Sequence, residues 1–123
     1  MQPGKSVIAL LGILALASCN YYQSFERRGP LPVEKVTFET IRAELLKPCG
    51  CIRCHSGDDP KAGLDLSQYS EIMAMEAVVP GKPKESSIYN EIMAEKMPPG
   101  GPMPPHDMMH MLEKWIEDGA PEK

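Results

Sequence analysis

The sequence predicts a small all-α domain of about three to five helices, and three observations lead to this prediction. Apolar residues recur at helical spacing in several segments of the chain. Residues that typically begin and end helices flank those segments. No segment alternates apolar and polar residues as a half-buried strand would. The chain has 123 residues and no internal repeat, so a single domain is expected.

The first predicted helix covers residues 38–47. Thr37 can cap its amino terminus, because a Thr side chain accepts hydrogen bonds from the first turn of a helix. Phe38 and Leu45 lie two turns apart on one apolar face. Pro48 ends the helix, since proline has no backbone N–H to donate.

Two further helices are predicted in the middle of the domain. Residues 56–63 form a loop, because they are rich in turn-forming Gly, Asp and Pro. Asp65 or Ser67 can cap a short helix that follows this loop. Another helix runs from about residue 84 to residue 95, where isoleucines recur one turn apart.

The last predicted helix follows a proline-rich loop. Residues 97–105 read Met-Pro-Pro-Gly-Gly-Pro-Met-Pro-Pro, which excludes regular helix and central strand. The helix then runs from near Pro105 to Gly119, a residue suited to a helix end. Its apolar stripe consists of Met108, Met111, Leu112, Trp115 and Ile116.

Residues 1–18 are predicted to be a lipoprotein signal peptide. Lys5 forms a short positive region, and the apolar run at 7–17 is shorter than the roughly 20 residues of a membrane-spanning helix. The run ends in Leu-Ala-Ser-Cys at 16–19, which resembles the bacterial lipobox. We therefore expect Cys19 to carry the lipid that anchors the exported protein to a membrane of the cell envelope, on its periplasmic side.

Residues 19–33 are predicted to be a lipidated tether, because their proline-rich part favours an extended chain. The folded domain is then 34–123. The full chain has a net charge of −4, and loss of Lys5 with the signal peptide makes it about −5. This acidic balance speaks against nucleic acid as a partner.

The most specific motif is Cys51-x-x-Cys54-His55. It is the pattern of c-type haem attachment. Two thiols at this spacing can each add to one vinyl group of a haem, and the adjacent imidazole can bind the iron as the proximal ligand. We therefore expect one covalent haem c, attached through Cys51 and Cys54 and ligated by His55.

Other interpretations of these cysteines stay open. Cys51 and Cys54 can form a disulfide in an exported protein. They can also form a thioredoxin-like redox pair, although the βαβ pattern of that fold is absent. With Cys49 and His55 they can bind zinc, although structural zinc sites usually use two separated ligand pairs. Cys49 itself is expected to pack inertly, with a free thiol or an intermolecular disulfide as alternatives.

The proline-rich loop offers two candidates for the sixth iron ligand. A thioether is a soft ligand, and His/Met coordination raises the potential of a haem. Met97 and Met103 both precede a proline, which restricts the backbone and holds the sulfur in place. The other methionines lie mostly on predicted helices and are expected to fill the core.

Taken in order, these segments resemble a bacterial class I cytochrome c domain, and are most similar to the planctomycete-type cytochrome c family. The resemblance covers residues 38–120. The matching pieces are Ile41-Arg42 and Leu45-Leu46, the haem motif, Gly63-Leu64-Asp65-Leu66-Ser67 with Tyr69, Val79-Pro80-Gly81-Lys82-Pro83 with Ser86 or Ser87 and Tyr89, Met97-Pro98-Pro99-Gly100-Gly101, and Trp115-Ile116-Glu117-Asp118-Gly119-Ala120.

The resemblance implies a class I cytochrome c fold, with its helices wrapped round one covalently bound haem. It places the axial methionine at Met97 and leaves Met103 as an apolar contact at the entrance of the closing helix. It also implies that the first and last helices pack together through Phe38, Leu45, Leu112 and Trp115. The haem-pocket residues that it implies are Leu64, Leu66, Tyr69, Ile88, Ile92 and Trp115.

Three functions are compatible with these residues. The first is single-electron transfer between redox protein partners. The second is a Cu(I)-binding or soft-metal-binding lipoprotein that uses the cysteine cluster and the Met/His-rich segment, where His106 and His110 lie one turn apart. The third is a peroxidase-type enzyme, which needs an open sixth position and a distal acid–base residue. We expect electron transfer and no enzyme activity, because no residue is suited to the distal role.

Overall fold

The computed structural model describes residues 35–123. The predicted signal peptide, the tether and Cys19 lie outside this range. Within it no residue is in a strand, which confirms the all-α prediction. None of its helices combines the length and hydropathy needed to cross a bilayer. The helices are α1 (Phe38–Ile41, continued by a π-helical turn, Arg42–Leu46), α2 (Cys51–Cys54), α3 (Tyr69–Ala74), α4 (Ser87–Met93) and α5 (His106–Glu117), with 3-10 turns at Lys61–Gly63 and Pro83–Glu85.

Helix α1 begins and ends where the sequence predicts. The Thr37 side chain accepts a hydrogen bond from the Thr40 N–H, and the Thr40 hydroxyl oxygen accepts one from the Thr37 N–H. Together the two bonds form a capping box. The last turn is wider than an α-helical turn, because the Lys47 N–H bonds to the Arg42 carbonyl at 3.0 Å. The helix has ended when the chain reaches Pro48.

The prediction that Asp65 or Ser67 caps the helix after the 56–63 loop is wrong. Asp65 Oδ1 accepts the Ser67 N–H at 2.7 Å, so these two residues form a local turn instead of a helix end. Helix α3 begins later, at Tyr69, and Gln68 precedes it without a side-chain cap. The Ser67 N–H, only two residues away, occupies the Asp65 carboxylate. The carboxylate therefore does not cap the N–H groups at the start of the helix.

Helix α4 is shorter than predicted at both ends. Pro83 starts a separate 3-10 turn, and Ser86 is extended, so the α-helix begins only at Ser87. At the other end the α-helix stops at Met93, and Glu95 has a positive φ of 58°. This φ lies in the left-handed region, which the interior of a right-handed helix excludes.

Helix α5 agrees with its prediction. It covers His106–Glu117, and Gly119 follows with φ 94°. Tyr89 of α4 donates a hydrogen bond to Glu113 Oε1 of α5 at 3.2 Å. Burial, and then the nearby Glu113 charge, raise the pKa of Tyr89, so the phenol stays a donor. All five residues of the predicted apolar stripe are buried: Met108, Met111, Leu112, Trp115 and Ile116.

The first and last helices pack together as expected. The rings of Phe38 and Trp115 lie 6.2 Å apart between centroids, and both side chains are buried. The backbone that follows α5 links the two, because the Pro121 carbonyl accepts the Trp115 Nε1–H at 2.9 Å and the Phe38 N–H at 3.0 Å. Leu45 and Leu112 are fully buried in the same core.

One buried serine organises the loop between α3 and α4. Ser86 is fully buried, and its hydroxyl accepts the Val79 N–H at 2.9 Å and donates to the Lys82 carbonyl at 3.0 Å. The Gly81 N–H in turn bonds to the Ile116 carbonyl near the end of α5, at 2.6 Å. The hydroxyl thereby satisfies backbone groups that the core would otherwise leave unpaired.

Candidate functional site

The Cys-x-x-Cys part of the motif forms one short helix, α2, soon after α1, and His55 is the residue that ends this helix. Gly50 joins the two helices with φ 73° and ψ 12°, in the left-handed region where glycine is favoured. A Cβ at this position would lie only 2.8 Å from Arg53 Nη2. The His55 N–H bonds to the Cys51 carbonyl at 2.9 Å, so His55 follows Cys51 by one helical turn.

The three cysteines of this segment differ in their bonding. Cys49 and Cys51 form a disulfide, with Cα atoms 5.4 Å apart, whereas Cys54 is a free and exposed thiol. The prediction that Cys49 packs inertly is therefore wrong, and its alternatives, a free thiol or an intermolecular bond, are not formed. The disulfide considered between Cys51 and Cys54 is not formed either. A thioether at Cys51 stays a prediction, and it requires this disulfide to open first.

The imidazole of His55 is oriented by one backbone carbonyl. His55 Nδ1 lies 3.0 Å from the Lys61 carbonyl oxygen, and a carbonyl only accepts hydrogen bonds. Nδ1 is therefore the donor of this hydrogen bond, and Nε2 is the ring nitrogen left to bind a metal. The backbone is held as well, because the Leu66 N–H donates to the His55 carbonyl at 2.8 Å. Such a hydrogen bond to the far nitrogen is how metal-binding histidines are usually positioned.

These donors fit a haem c. His55 presents the imidazole nitrogen Nε2, a ligand type that suits iron. Cys54 presents an accessible thiol one residue before it. Cys51 completes the pair once it is reduced. The chemistry of the donor set therefore agrees with the cofactor that the motif predicts.

Both candidate methionines are of intermediate burial. Met97 and Met103 each pack against the hydrophobic core. Met97 lies in the turn after the end of α4, and its N–H bonds to the Glu91 carbonyl at 3.1 Å. Burial does not distinguish the two sulfurs, and the choice of Met97 stays a prediction.

Two of the predicted pocket residues already have protein partners. Trp115 is fully buried against Phe38, and the Tyr69 hydroxyl donates to the Ala120 carbonyl at 2.8 Å. Their aromatic rings therefore stabilise the packing of the helices, whatever else they contact. The remaining predicted pocket residues also belong to the core or pack on it: Leu64, Leu66, Ile88 and Ile92.

The soft-metal site has little support from the described residues. The rings of His106 and His110 lie 4.5 Å apart, edge to face, and both side chains are exposed. In residues 35–123 no group of three or more His, Cys, Asp or Glu side chains is arranged to hold a metal. Two of the three thiols proposed for Cu(I) are bonded to each other.

Sequence reasoning missed two features of this site. The Lys61 carbonyl that orients His55 is a backbone group, and its side chain carries no signal of that role. The pairing of Cys49 with Cys51 did have a signal, because a glycine between two cysteines allows the tight turn that brings them together.

The comparison with known protein families points to the same segment. Residues 51–107 match the family described as planctomycete cytochrome C. The match begins at the first cysteine of the attachment motif and ends in the first turn of α5. No curated protein and no solved structure has significant similarity to the chain.

Proposed function

We propose that this chain is a c-type cytochrome, and that it is an exported, membrane-anchored, mono-haem carrier of single electrons, because residues 51–107 match the planctomycete cytochrome C family. The observation that carries the proposal is the agreement between the family match and the attachment motif. The structure adds a reason to expect iron ligation, since His55 Nε2 is the free nitrogen of an oriented ring.

The residues of the chain divide the work of holding the cofactor. Cys51 and Cys54 provide the covalent attachment, and His55 provides the proximal nitrogen. The Lys61 carbonyl oxygen accepts a hydrogen bond from His55 Nδ1, so Nε2 is the ring nitrogen available to bind the metal. When bound, haem c supplies a one-electron Fe(III)/Fe(II) couple.

We propose electron transfer in preference to catalysis because a methionine is available for the sixth position. Met97, or alternatively Met103, is half-buried on the core, and a thioether at the sixth position closes it to substrate. A carrier of this kind exchanges electrons with redox protein partners through a haem edge near the surface. The exposed thiol of Cys54 indicates that this part of α2 faces solvent.

The proposed location follows from the amino-terminal sequence. Lipid on Cys19 anchors the protein to a membrane of the bacterial cell envelope, on the periplasmic side, and residues 19–33 form the tether. The net charge of about −5 after removal of Lys5 makes nucleic acid an unsuitable partner.

A visible spectrum tests the proposal at low effort. The full chain is produced in a bacterial host that has haem-attachment machinery, and the protein is extracted with acidified acetone. We expect the α-band of a reduced c haem, and a chromophore that stays on the polypeptide after extraction. His55→Ala should lose the ligation spectrum, whereas the matched exposed variant His106→Ala should keep it.

Loss of the chromophore on extraction would exclude covalent attachment and contradict the proposal. A colourless protein that purifies with stoichiometric copper would instead favour a soft-metal lipoprotein. Changes of equal size in His55→Ala and His106→Ala would show that His55 has no special role.

A further inference from the structure

The thiols of the attachment segment are not equally available for a haem. Cys51 is bonded to Cys49, and Cys54 is the free cysteine among residues 35–123. A sulfur in a disulfide has no hydrogen and cannot add to a vinyl group. The same sulfur of Cys51 therefore cannot hold Cys49 and a haem at once.

The backbone favours this pairing independently of any cofactor. Gly50 lies between the end of the first helix and the start of α2. Its backbone adopts a left-handed conformation, which turns the chain sharply. The Cys49 N–H bonds to the Leu45 carbonyl at 3.0 Å, which holds Cys49 on the last turn of the preceding helix. The resulting separation of 5.4 Å between the Cα atoms of Cys49 and Cys51 lies within the usual range for a disulfide.

The reduced form of Cys49 also has a partner in place. Its Sγ lies 3.4 Å from the Leu46 carbonyl oxygen. This carbonyl belongs to the last turn before α2, where helix carbonyls lack intrahelical donors. A thiol at Cys49 can donate to it, so the chain accommodates Cys49 in both redox states.

We propose that Cys49 masks Cys51 in the haem-free chain, so that the thioether at Cys51 forms only after a dithiol reductant opens the Cys49–Cys51 disulfide. The inference rests on the proposed function, because it concerns the residues that receive the haem. It gives Cys49 a role in maturation: it protects Cys51 from wrong disulfides in an oxidising compartment until haem and reductant are both present.

Opening of the disulfide precedes addition of the Cys51 thiol to the haem. A thiolate of the dithiol attacks one sulfur of the Cys49–Cys51 bond, and the second thiol of the reductant releases the mixed disulfide. The reductant leaves as a disulfide, two electrons reduce the pair, and both cysteines become thiols. The Cys51 thiol then adds across a vinyl double bond: sulfur bonds to one carbon and hydrogen to the other, with no net change in electron count.

Peptide mapping tests the masking without any haem. The full chain is exported in a host that lacks haem-attachment machinery and is alkylated before any reduction. Trypsin cuts after Arg53, which separates residues 43–53, with Cys49 and Cys51, from residues 54–61, with Cys54. We expect peptide 43–53 to be unalkylated and lighter by two hydrogen atoms than its reduced form, and Cys54 to be alkylated.

Haem loading tests the consequence. Haem-free chain, either untreated or reduced with a dithiol and desalted, is incubated with ferrous haem, and thioethers are located by mass spectrometry of the peptides. We expect at least a tenfold gain at Cys51 on prior reduction. Cys49→Ser should attach haem at Cys51 without it. In the loaded wild-type protein the alkylated cysteine should change from Cys54 to Cys49.

Several results would overturn the inference. One is alkylation of Cys49 in the haem-free chain, and another is a cross-link between the two tryptic peptides. Haem attachment at Cys51 that needs no reductant, or that needs it equally in Cys49→Ser, would overturn it while leaving the proposed function intact. Failure of every arm, including the reduced wild type, to attach haem would also overturn the inference, since the bond would then mask nothing, while the spectrum of protein made with haem-attachment machinery decides the proposed function separately.

Discussion

A single backbone hydrogen bond decides which nitrogen of His55 can meet a metal. The Lys61 carbonyl oxygen accepts a hydrogen bond from Nδ1 at 3.0 Å, which leaves Nε2 as the nitrogen that can bind a metal. The carbonyl belongs to the 3-10 turn at Lys61–Gly63, so the loop after α2 has a direct effect on the site. Since any residue type carries this carbonyl, we expect changes of the Lys61 side chain to be tolerated.

At the same scale, the sixth ligand is predicted to be Met97. Axial ligands span about 0.8 V of haem potential, so we expect Met97→Ala to lower the potential by on the order of 0.1 V and to abolish the weak Met-to-iron absorption. The measurement is a redox titration followed by visible spectroscopy.

Met103→Ala is the matched control, because Met103 is half-buried on the same core and also precedes a proline. It should leave the Met-to-iron absorption unchanged. A Met97→Ala protein with an unaltered spectrum, together with a Met103→Ala protein that loses the band, would transfer the ligand role to Met103.

Among the elements, the packing of α1 against α5 stabilises the domain next to the attachment segment. Phe38 touches both Trp115 and Tyr69, with ring centroids 6.2 Å and 5.6 Å away. Helix α1 continues through a π-helical turn almost directly into α2. We therefore expect any loosening of α1 to disturb the residues predicted to hold the haem.

Phe38→Ala should lower the free energy of unfolding by about 3–5 kcal/mol, because it leaves a cavity between aromatic rings. The measurement is denaturant unfolding of the haem-loaded protein, followed by far-ultraviolet circular dichroism. Met75→Ala is the control, since Met75 is 51% exposed, and it should change the stability by no more than about 0.5 kcal/mol. Equal effects of the two substitutions would contradict the central position given to Phe38.

For the whole molecule, the predicted lipid anchor on Cys19 is expected to determine where the protein works. Replacing Cys19 would remove the residue predicted to carry the lipid, and more than one acyl chain is needed for stable attachment to a membrane. We expect Cys19→Ala to move the haem-containing protein from the membrane fraction to the soluble fraction, with an unchanged visible spectrum. The measurement is fractionation with haem staining.

Cys49→Ser is the control for this fractionation, because it changes a cysteine of the folded domain and leaves residue 19 intact. It should stay with the membrane. A Cys19→Ala protein that remains membrane-bound after a high-salt wash would show that another part of the chain is the anchor.

The sequence by itself determined the features that depend on neighbouring residues. Thr37 caps the start of α1, and Pro48 follows its end. Each acts through its own side chain on the adjacent backbone. The spacing of Cys51, Cys54 and His55 predicted the type of site, and the family match agrees with it. The stripe on α5 was also predicted correctly, because helical periodicity alone selects its buried face.

Only the tertiary structure decided which of several local partners each group takes. Asp65 bonds to Ser67 instead of capping α3, and Cys51 pairs with Cys49 instead of standing free. The Lys61 carbonyl reaches the ring of His55 because the loop after α2 folds back. Hydrogen bonds such as those of Asp65 and His55 are each worth only about 1 kcal/mol, so the path of the backbone, which residue types alone do not specify, selects among competing partners.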